Sequence, residues 1–229
     1  MKRLFDSLAN WADAHPKRVL AIAVAVGLAI TFVLQNRPPR ALPLELTPVV
    51  AEVLGDAGTP RVGPADADVV VVLFTDYRCP ICRRTDPALE RLLARDPKVR
   101  VHFKDWAILG EQSTIGARAA LAAERQGKYL AMHRALMADN APLNATEVRR
   151  IAAEAGLDPA RLEADLARYD KEIDRQLTVH ANQAFALGLK GTPAYLVGPY
   201  LIQGGLDDTA LEAAVARARK AGPPKPQPE

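Results

Sequence analysis

The scarcity of cysteine is the most informative feature of this chain's composition. Its 229 residues include only two cysteines, and both belong to one Cys-Pro-Ile-Cys sequence, Cys79 to Cys82. A disulfide that spans two residues closes too short a loop to be a useful structural crosslink. The four histidines are scattered without metal-ligand spacing, which argues against a zinc or iron–sulfur site and against any cofactor of that kind. The two cysteines are therefore expected to serve chemistry at a single place.

Most of the chain also lacks a net excess of charge of either sign. The formal net charge is +3, and residues 1–40 alone contribute +4 through six basic and two acidic side chains. The remaining residues together are close to neutral. Because nucleic-acid binding needs a basic face, the sequence predicts no nucleic-acid partner.

One segment lacks charge altogether. The run Val19–Leu34 carries neither charged nor strongly polar residues, and as a helix it would measure about 24 Å against a bilayer core of about 30 Å. Lys17, Arg18 and Arg37 can extend toward the interfaces at its ends. We expect an uncleaved, single-pass transmembrane anchor over 19–36. A cleaved signal peptide and a buried soluble helix remain open as alternatives.

The rest of the chain divides by composition. Residues 1–18 are expected to be cytoplasmic, either as an amphipathic helix on the membrane surface or as an unstructured tail. Residues 37–65 are proline-rich and predict a tether, within which Leu44–Leu54 can form a short docked element. The folded domain is expected over 66–220, and residues 221–229 are expected to be disordered.

Within 66–220 the pattern is that of an α/β protein. Strands are predicted over 69–75 and 99–105 with a helix from about Cys79 to Ala94 between them, and strands over 194–197 and 200–203 precede a last helix from Asp208 to about Lys220. Helical periodicity fills the interval of about 112–187. This order fits a thioredoxin fold with an inserted helical subdomain.

The Cys-Pro-Ile-Cys sequence follows a buried strand and opens a helix. Unpaired N–H groups and the helix dipole stabilise a thiolate at that position, so Cys79 is the predicted nucleophile and Cys82 the resolving thiol. Pro80 suits the first helical turn, and both Pro80 and Ile81 are expected to modulate the pair. A metal site, including one for Cu(I), and an inert thiol pair remain as alternatives.

Three further groups are candidates on the sequence alone. Gly191-Thr192-Pro193 precedes a strand, and a cis Thr192–Pro193 bond facing the cysteines would leave the Thr192 backbone free to pair with an extended substrate. Lys104 ends the second strand, where it or Asp105 can relay protons to Cys82 if buried. His133 lies on an apolar helix and is expected to be a packing residue.

These motifs, in this order, resemble those of the DsbA family of thiol–disulfide oxidoreductases, in the branch with threonine before the cis-proline. The resemblance covers about 66–220 through Phe74-Thr-Asp-Tyr-Arg-Cys-Pro-Ile-Cys82, Lys104-Asp-Trp-Ala-Ile-Leu-Gly110, Gln126-Gly-Lys-Tyr-Leu-Ala-Met-His133 and Gly191-Thr-Pro-Ala194. It implies Cys79 as the attacking cysteine, Cys82 as its buried partner and Thr192-Pro193 as the cis-proline dipeptide.

The chain departs from the family's namesake between the cysteines, where Pro-Ile replaces Pro-His. Ile81 cannot donate a hydrogen bond to the sulfur, so we expect a less oxidising disulfide. An acidic residue is also missing from the first strand. The predicted function is oxidation of thiols in extracytoplasmic, cysteine-containing proteins, with regeneration by a membrane redox partner and the domain facing the periplasm. Reduction or isomerisation by the same residues remains open.

Overall fold

The computed structural model describes residues 14–35 and 39–226, and for 32–35 it describes the backbone alone. The chain divides into two compact units at Pro38 and Pro39. The first unit contains helix α1, Pro16–Gln35. Of the predicted N-terminal segment 1–18, residues 1–13 lie outside the described residues. In the part of the chain that the structure describes, no helix meets the combined length and apolarity of a membrane span.

The second unit is built on one six-stranded sheet in the order β1-β6-β5-β3-β4-β2. The strands are β1 Ala41–Pro43, β2 Arg61–Val62, β3 Val69–Thr75, β4 Val99–Asp105, β5 Ala194–Val197 and β6 Tyr200–Gln203. Central strands β3 and β4 run parallel, and every other pairing is antiparallel. Parallel neighbours need a crossover connection, and the helix that follows the cysteine motif provides it.

Helices cover both faces of the sheet. They are α2 Pro48–Gly55, α3 Pro80–Arg95, α4 Glu111–Ala123, α5 Tyr129–Ala138, α6 Ala145–Glu154, α7 Pro159–Arg168, α8 Asp170–Ala186 and α9 Asp208–Ala221, with a 3₁₀ turn at Glu124–Gln126. Val71 and Leu73 of β3 face the core that contains α3, α9 and the inserted helices, whereas Val72 and Phe74 face α2 and α8. This alternation buries both faces of β3, as a central parallel strand requires. The thioredoxin fold with a helical insertion is confirmed.

The predicted tether over 37–65 is ordered for much of its length, and the docked element expected within it at Leu44–Leu54 is present as helix α2. Strand β1 pairs with β6, and helix α2 buries Val50 and Val53. Thr47 caps α2 by accepting a hydrogen bond from the Val50 N–H at 3.2 Å. Apolar burial and strand pairing with the domain therefore order this proline-rich segment.

The predicted disordered tail is wrong for residues 221–226. Ala221 is the last residue of α9, and the Leu46 N–H donates to the Lys225 carbonyl at 2.7 Å. Prolines on both sides of Lys225 lack N–H groups, but the backbone carbonyls of this stretch remain able to accept hydrogen bonds, as the Lys225 carbonyl does from Leu46. Residues 227–229 lie outside the described range.

Candidate active site

The two cysteines lie where β3 leads into α3. Cys79 is the N-cap residue of α3, and its sulfur accepts a hydrogen bond from the Cys82 N–H at 3.4 Å. Pro80 occupies the first helical position, where its missing N–H leaves no hydrogen bond unmade. Both cysteines are largely buried, with Cys79 5% and Cys82 2% exposed. The helix start thus aims N–H groups at the Cys79 sulfur.

The Thr192–Pro193 peptide bond is cis, as predicted. It brings the Thr192 carbonyl within 3.2 Å of the Cys79 sulfur, which donates to it as a thiol. Strand β5 begins two residues later at Ala194 and pairs with Phe74 of β3. The sheet itself therefore sets the position of the cis-proline segment beside the cysteines.

The pKa values of the two thiols are shifted in opposite directions. A hydrogen bond from the Cys82 thiol lowers the pKa of Cys79 to about 5, aided by the N–H groups of Cys82 and Ile81 and by the Thr192 hydroxyl, and burial only partly opposes this. The same Cys79–Cys82 hydrogen bond, followed by burial, raises the pKa of Cys82 well above its ordinary value. Near neutral pH the pair therefore carries its thiolate on Cys79, the sulfur nearer the helix N-terminus.

Asp76 fixes the loop that carries the motif, a role that the sequence analysis missed. Its buried carboxylate accepts hydrogen bonds from the N–H groups of Arg78 (2.7 Å), Ile108 (2.8 Å) and Leu109 (3.1 Å) and from the Ser113 hydroxyl (2.7 Å). An acidic residue between a strand and a Cys-x-x-Cys sequence was the available signal. Asp76 joins the motif to the loop after β4.

Two arginines beside the cysteines contact the helical insertion. Arg78 donates to the Ala141 carbonyl at 3.2 Å, and Arg83 donates to the carbonyls of Met137, at 2.9 Å, and Asp139. These carbonyls lie at and beyond the C-terminus of α5, where backbone acceptors lack helical partners. The arginines hold the insertion against the start of α3.

Lys104 does not reach the cysteines, contrary to the predicted proton relay through this residue. Its fully buried ammonium donates to Asp56 and to Thr59, both at 2.6 Å. Successive residues of a strand face opposite sides of the sheet. Lys104 therefore points toward α2 and α8, whereas Phe103 on the same strand packs in the core that holds Cys82.

Apolar side chains remain exposed around the motif. Ile81 is 40%, Ile108 39% and Leu109 51% exposed, and the Asp76 hydrogen bonds tie the last two to the cysteine loop. Exposed apolar groups beside a reactive sulfur suit contact with an unfolded or extended polypeptide. Over the described ranges, no cluster of three or more His, Cys, Asp or Glu side chains could hold a metal ion.

Comparison with known proteins agrees with this geometry. Residues 70–216 match the family model of the DSBA-like thioredoxin domain. The crystal structure of a thioredoxin-like oxidoreductase from Silicibacter pomeroyi DSS-3 is 42% identical, covers 74% of this chain and 97% of its own, and has a TM-score of 0.69. The thiol-disulfide exchange protein alpha-DsbA2 from Wolbachia pipientis is 25% identical over 72% of this chain and 90% of its own, also with a TM-score of 0.69.

Curated relatives include much longer proteins. The Na(+)/H(+) antiporter NhaA 3 of Salinispora tropica is 31% identical over 164 residues, which is 68% of this chain and 24% of the antiporter. The chain thus spans about a quarter of the length of that relative. With a cis-proline beside a helix-capping Cys-x-x-Cys, and a family match over most of its folded unit, the chain belongs to the DSBA-like thioredoxin family of thiol–disulfide oxidoreductases.

Proposed function

We propose that this protein oxidises thiols of extracytoplasmic proteins with the Cys79–Cys82 disulfide. The observation that carries the proposal is the position of the Cys79 sulfur at the start of α3, where hydrogen bonds from Cys82 lower the pKa of Cys79 to about 5 while the pKa of Cys82 is raised. A stabilised Cys79 thiolate is a good leaving group, and it stabilises the reduced form relative to the disulfide. Both effects favour electron flow from substrate to enzyme.

The exchange proceeds in two steps. A substrate thiolate attacks the Cys79 sulfur, the Cys79–Cys82 bond breaks, and Cys82 leaves and takes up a proton. A second substrate thiolate then attacks the substrate sulfur of the mixed disulfide, which forms the substrate disulfide and releases Cys79 as a thiolate. Two electrons pass from the substrate to the cysteine pair.

The substrate is proposed to be an extended, cysteine-containing segment of a protein. Ile81, Ile108 and Leu109 offer apolar contacts around Cys79, and the backbone at Thr192 lies next to the reacting sulfur. Pairing with that backbone would orient the segment without selecting its sequence.

Membrane attachment and redox recycling complete the proposal. The uncharged run Val19–Leu34 supports an anchor, with the domain on the oxidising side of the membrane and a membrane redox partner nearby. Membranes washed with alkaline carbonate should retain the full chain. The matched variant Val24→Asp/Leu28→Asp should be released, and release of the unaltered chain would contradict the anchor.

Disulfide transfer to a reduced, unfolded protein with two cysteines tests the proposed activity. The oxidised chain should transfer about one disulfide per molecule, whereas Cys79→Ser and Cys82→Ser, which cannot form the Cys79–Cys82 disulfide, should transfer none. Trapping of thiols in cells separates the two directions of electron flow. A pair found mostly as the disulfide supports oxidation, and a pair found mostly as the dithiol supports the reductase or isomerase alternative.

A further inference from the structure

Four cationic side chains surround the cysteine pair, and we call them the basic rim: Arg78, Arg83, Arg84 and Lys190. Arg78 directly precedes the motif, Arg83 and Arg84 lie in the first two turns of α3, and Lys190 lies just before the cis-proline segment. Arg84 and Lys190 are exposed, whereas Arg78 and Arg83 are half-buried. The proposed exchange reaction does not yet account for these charges.

No carboxylate among the described residues pairs with a member of the basic rim. Arg78 and Arg83 donate to backbone carbonyls of the loop after α5, and a carbonyl carries no net charge. In the part of the chain that the structure describes, the side chains of Arg84 and Lys190 have neither a hydrogen-bond nor an ion-pair partner. The four positive charges are therefore not neutralised locally.

The later arginines of α3 behave differently. Arg91 pairs with Asp208 at 2.6 Å, and Arg95 pairs with Glu212 at 2.8 Å, both across to α9. The same residue type on one helix is thus paired with a carboxylate far from the cysteines and left without one beside them. The positive end of the helix dipole lies at the same place as the unpaired arginines. The cysteine end of α3 therefore carries a concentrated positive potential.

Charges within the basic rim repel one another. Burial, and after it the charge of Arg78, lowers the pKa of Arg83. The carboxylate that opposes this shift belongs to Asp139, and it is paired with Arg150. An anion supplied from outside the chain would relieve this repulsion.

The acidic groups closest in sequence to the motif and to the loop after β4 do not cancel the rim. The Asp76 carboxylate is buried and accepts its hydrogen bonds from three N–H groups and the Ser113 hydroxyl. Glu111 is exposed, but it lies in the first turn of α4, beyond Leu109. Positive charge is thus concentrated on the sides of the site formed by α3 and the cis-proline segment.

The basic rim lies within reach of residues that flank a bound cysteine. Arg84 follows Cys79 by five residues, an axial rise of about 7.5 Å on a helix, and Lys190 is at most about 7 Å along the chain from Thr192. In an extended substrate, a residue two or three positions from the cysteine lies about 7 to 10 Å from it. These distances match.

We propose that the basic rim selects substrate segments that carry Asp or Glu two or three residues from the reacting cysteine. In the oxidised chain Cys79 carries no charge, so no thiolate offsets the rim, and the rim attracts both the acidic side chains and the substrate thiolate. The chemistry is that of the exchange above: the substrate thiolate attacks Cys79 and Cys82 leaves. This inference rests on the proposed function, because it names the substrate class of the same site.

Three unstructured peptides with one cysteine each test the preference. They differ only in carrying Glu, Gln or Lys both two residues before and three residues after the cysteine. The rate at which each reduces the oxidised full chain is divided by its thiolate fraction, because acidic neighbours raise the pKa of the peptide thiol. At low ionic strength the Glu peptide should react at least about fivefold faster than the Gln peptide, and salt should reduce this ratio toward one. Equal rates, or a faster Lys peptide, would overturn the proposal.

Matched charge reversals locate the effect. In Arg84→Glu/Lys190→Glu the ratio of the Glu to the Gln peptide should fall to one or below. Lys98→Glu/Lys171→Glu makes the same change in net charge at exposed positions, before β4 and in the first turn of α8, and should keep the ratio of the parent. The same ratio in both double variants would overturn a role for the rim.

The reverse reaction separates this inference from the proposed direction of electron flow. The reduced chain is mixed with the disulfide-linked dimers of the same peptides, and the preference for Glu should persist. If only the reduced chain reacts and it prefers the Glu dimer, thiol oxidation is refuted and the basic rim stands. If the oxidised chain reacts with all three peptides at equal rates, the proposed function stands and the basic rim is refuted.

Discussion

The Cys79 sulfur lies 3.2 Å from the Thr192 carbonyl, although the two residues are 113 positions apart in sequence. The cis bond to Pro193 and the start of β5 hold the carbonyl there, while the start of α3 holds the sulfur. One strand end and one helix end therefore meet at the reactive atom. The Cys82 thiol, on the helix, and the Thr192 hydroxyl, just before the strand, both lower the pKa of Cys79.

Removal of the Thr192 hydroxyl should make Cys79 less acidic. That hydroxyl is among the groups that lower the pKa of Cys79, after the dominant hydrogen bond from Cys82. In Thr192→Val the pKa of Cys79 should rise, and alkylation at pH 6 should slow. Thr178→Val is a suitable control, because the Thr178 hydroxyl donates to the Asp174 carbonyl of its own helix. Equal alkylation rates in the two variants would count against a role for Thr192.

The stability of the reduced protein should depend on pH through Cys79. Its pKa is lowered from 9.0 to about 5 by hydrogen bonding, chiefly from Cys82. The stabilisation should therefore be absent below pH 5 and grow as the pH rises toward 9. Melting temperatures of the reduced and oxidised forms between pH 4 and 8.5 test this. We expect the melting temperature of the reduced form to rise relative to that of the oxidised form as the pH rises. A difference in melting temperature that does not change with pH would contradict this.

Replacement of Ile81 by histidine should strengthen the oxidant. Ile81 offers only its backbone N–H to the Cys79 sulfur, whereas an imidazole can donate a further hydrogen bond or carry charge. In Ile81→His the pKa of Cys79 should fall further and the reduction potential should rise, as measured by thiolate absorbance and by glutathione equilibration. Ile81→Leu controls for packing against the adjacent Gly205. A potential unaffected by histidine would mean that the side chain at 81 does not control the couple.

Lys104 should matter for stability and not for thiol chemistry. Burial lowers the pKa of Lys104 despite its pairing with Asp56, so desolvation of the ammonium outweighs the attraction. Lys104→Met should cost about 3 kcal/mol in free energy of unfolding, because it leaves the partly buried Asp56 carboxylate without its cation. The double variant Lys104→Met/Asp56→Leu should recover part of that loss. Urea denaturation measures the free energy of unfolding of both variants. If Cys82 reacted more slowly in either variant, the proton relay predicted through Lys104 would be supported.

The sequence predicted the central strands to the residue, since β3 is a β-branched run and β4 alternates Val99, Val101 and Phe103 with polar residues. It could not predict which face of the sheet Lys104 would occupy, because that depends on where α2 and α8 pack. Strand β1 has three residues, too few for any periodicity, and exists because β6 pairs with it.

The buried hydrogen bond between His133 and Asp86 shows the same division. Helical spacing alone relates Asp86 to Cys82 on α3. The contact between Asp86 and His133 arises from the packing of α5 against α3, so His133 was expected to be only a packing residue. Local pattern thus predicted the cysteine site, whereas contacts between distant elements were visible only in the fold.

The reduction potential of the Cys79–Cys82 couple tests substrate oxidation most directly. Equilibration of the chain with glutathione buffers, followed by separation of the dithiol and disulfide forms, gives the value. We predict a potential above about −180 mV, on the side of strong disulfide donors. A potential near about −270 mV, the range of thioredoxin, would contradict the proposed direction of electron flow.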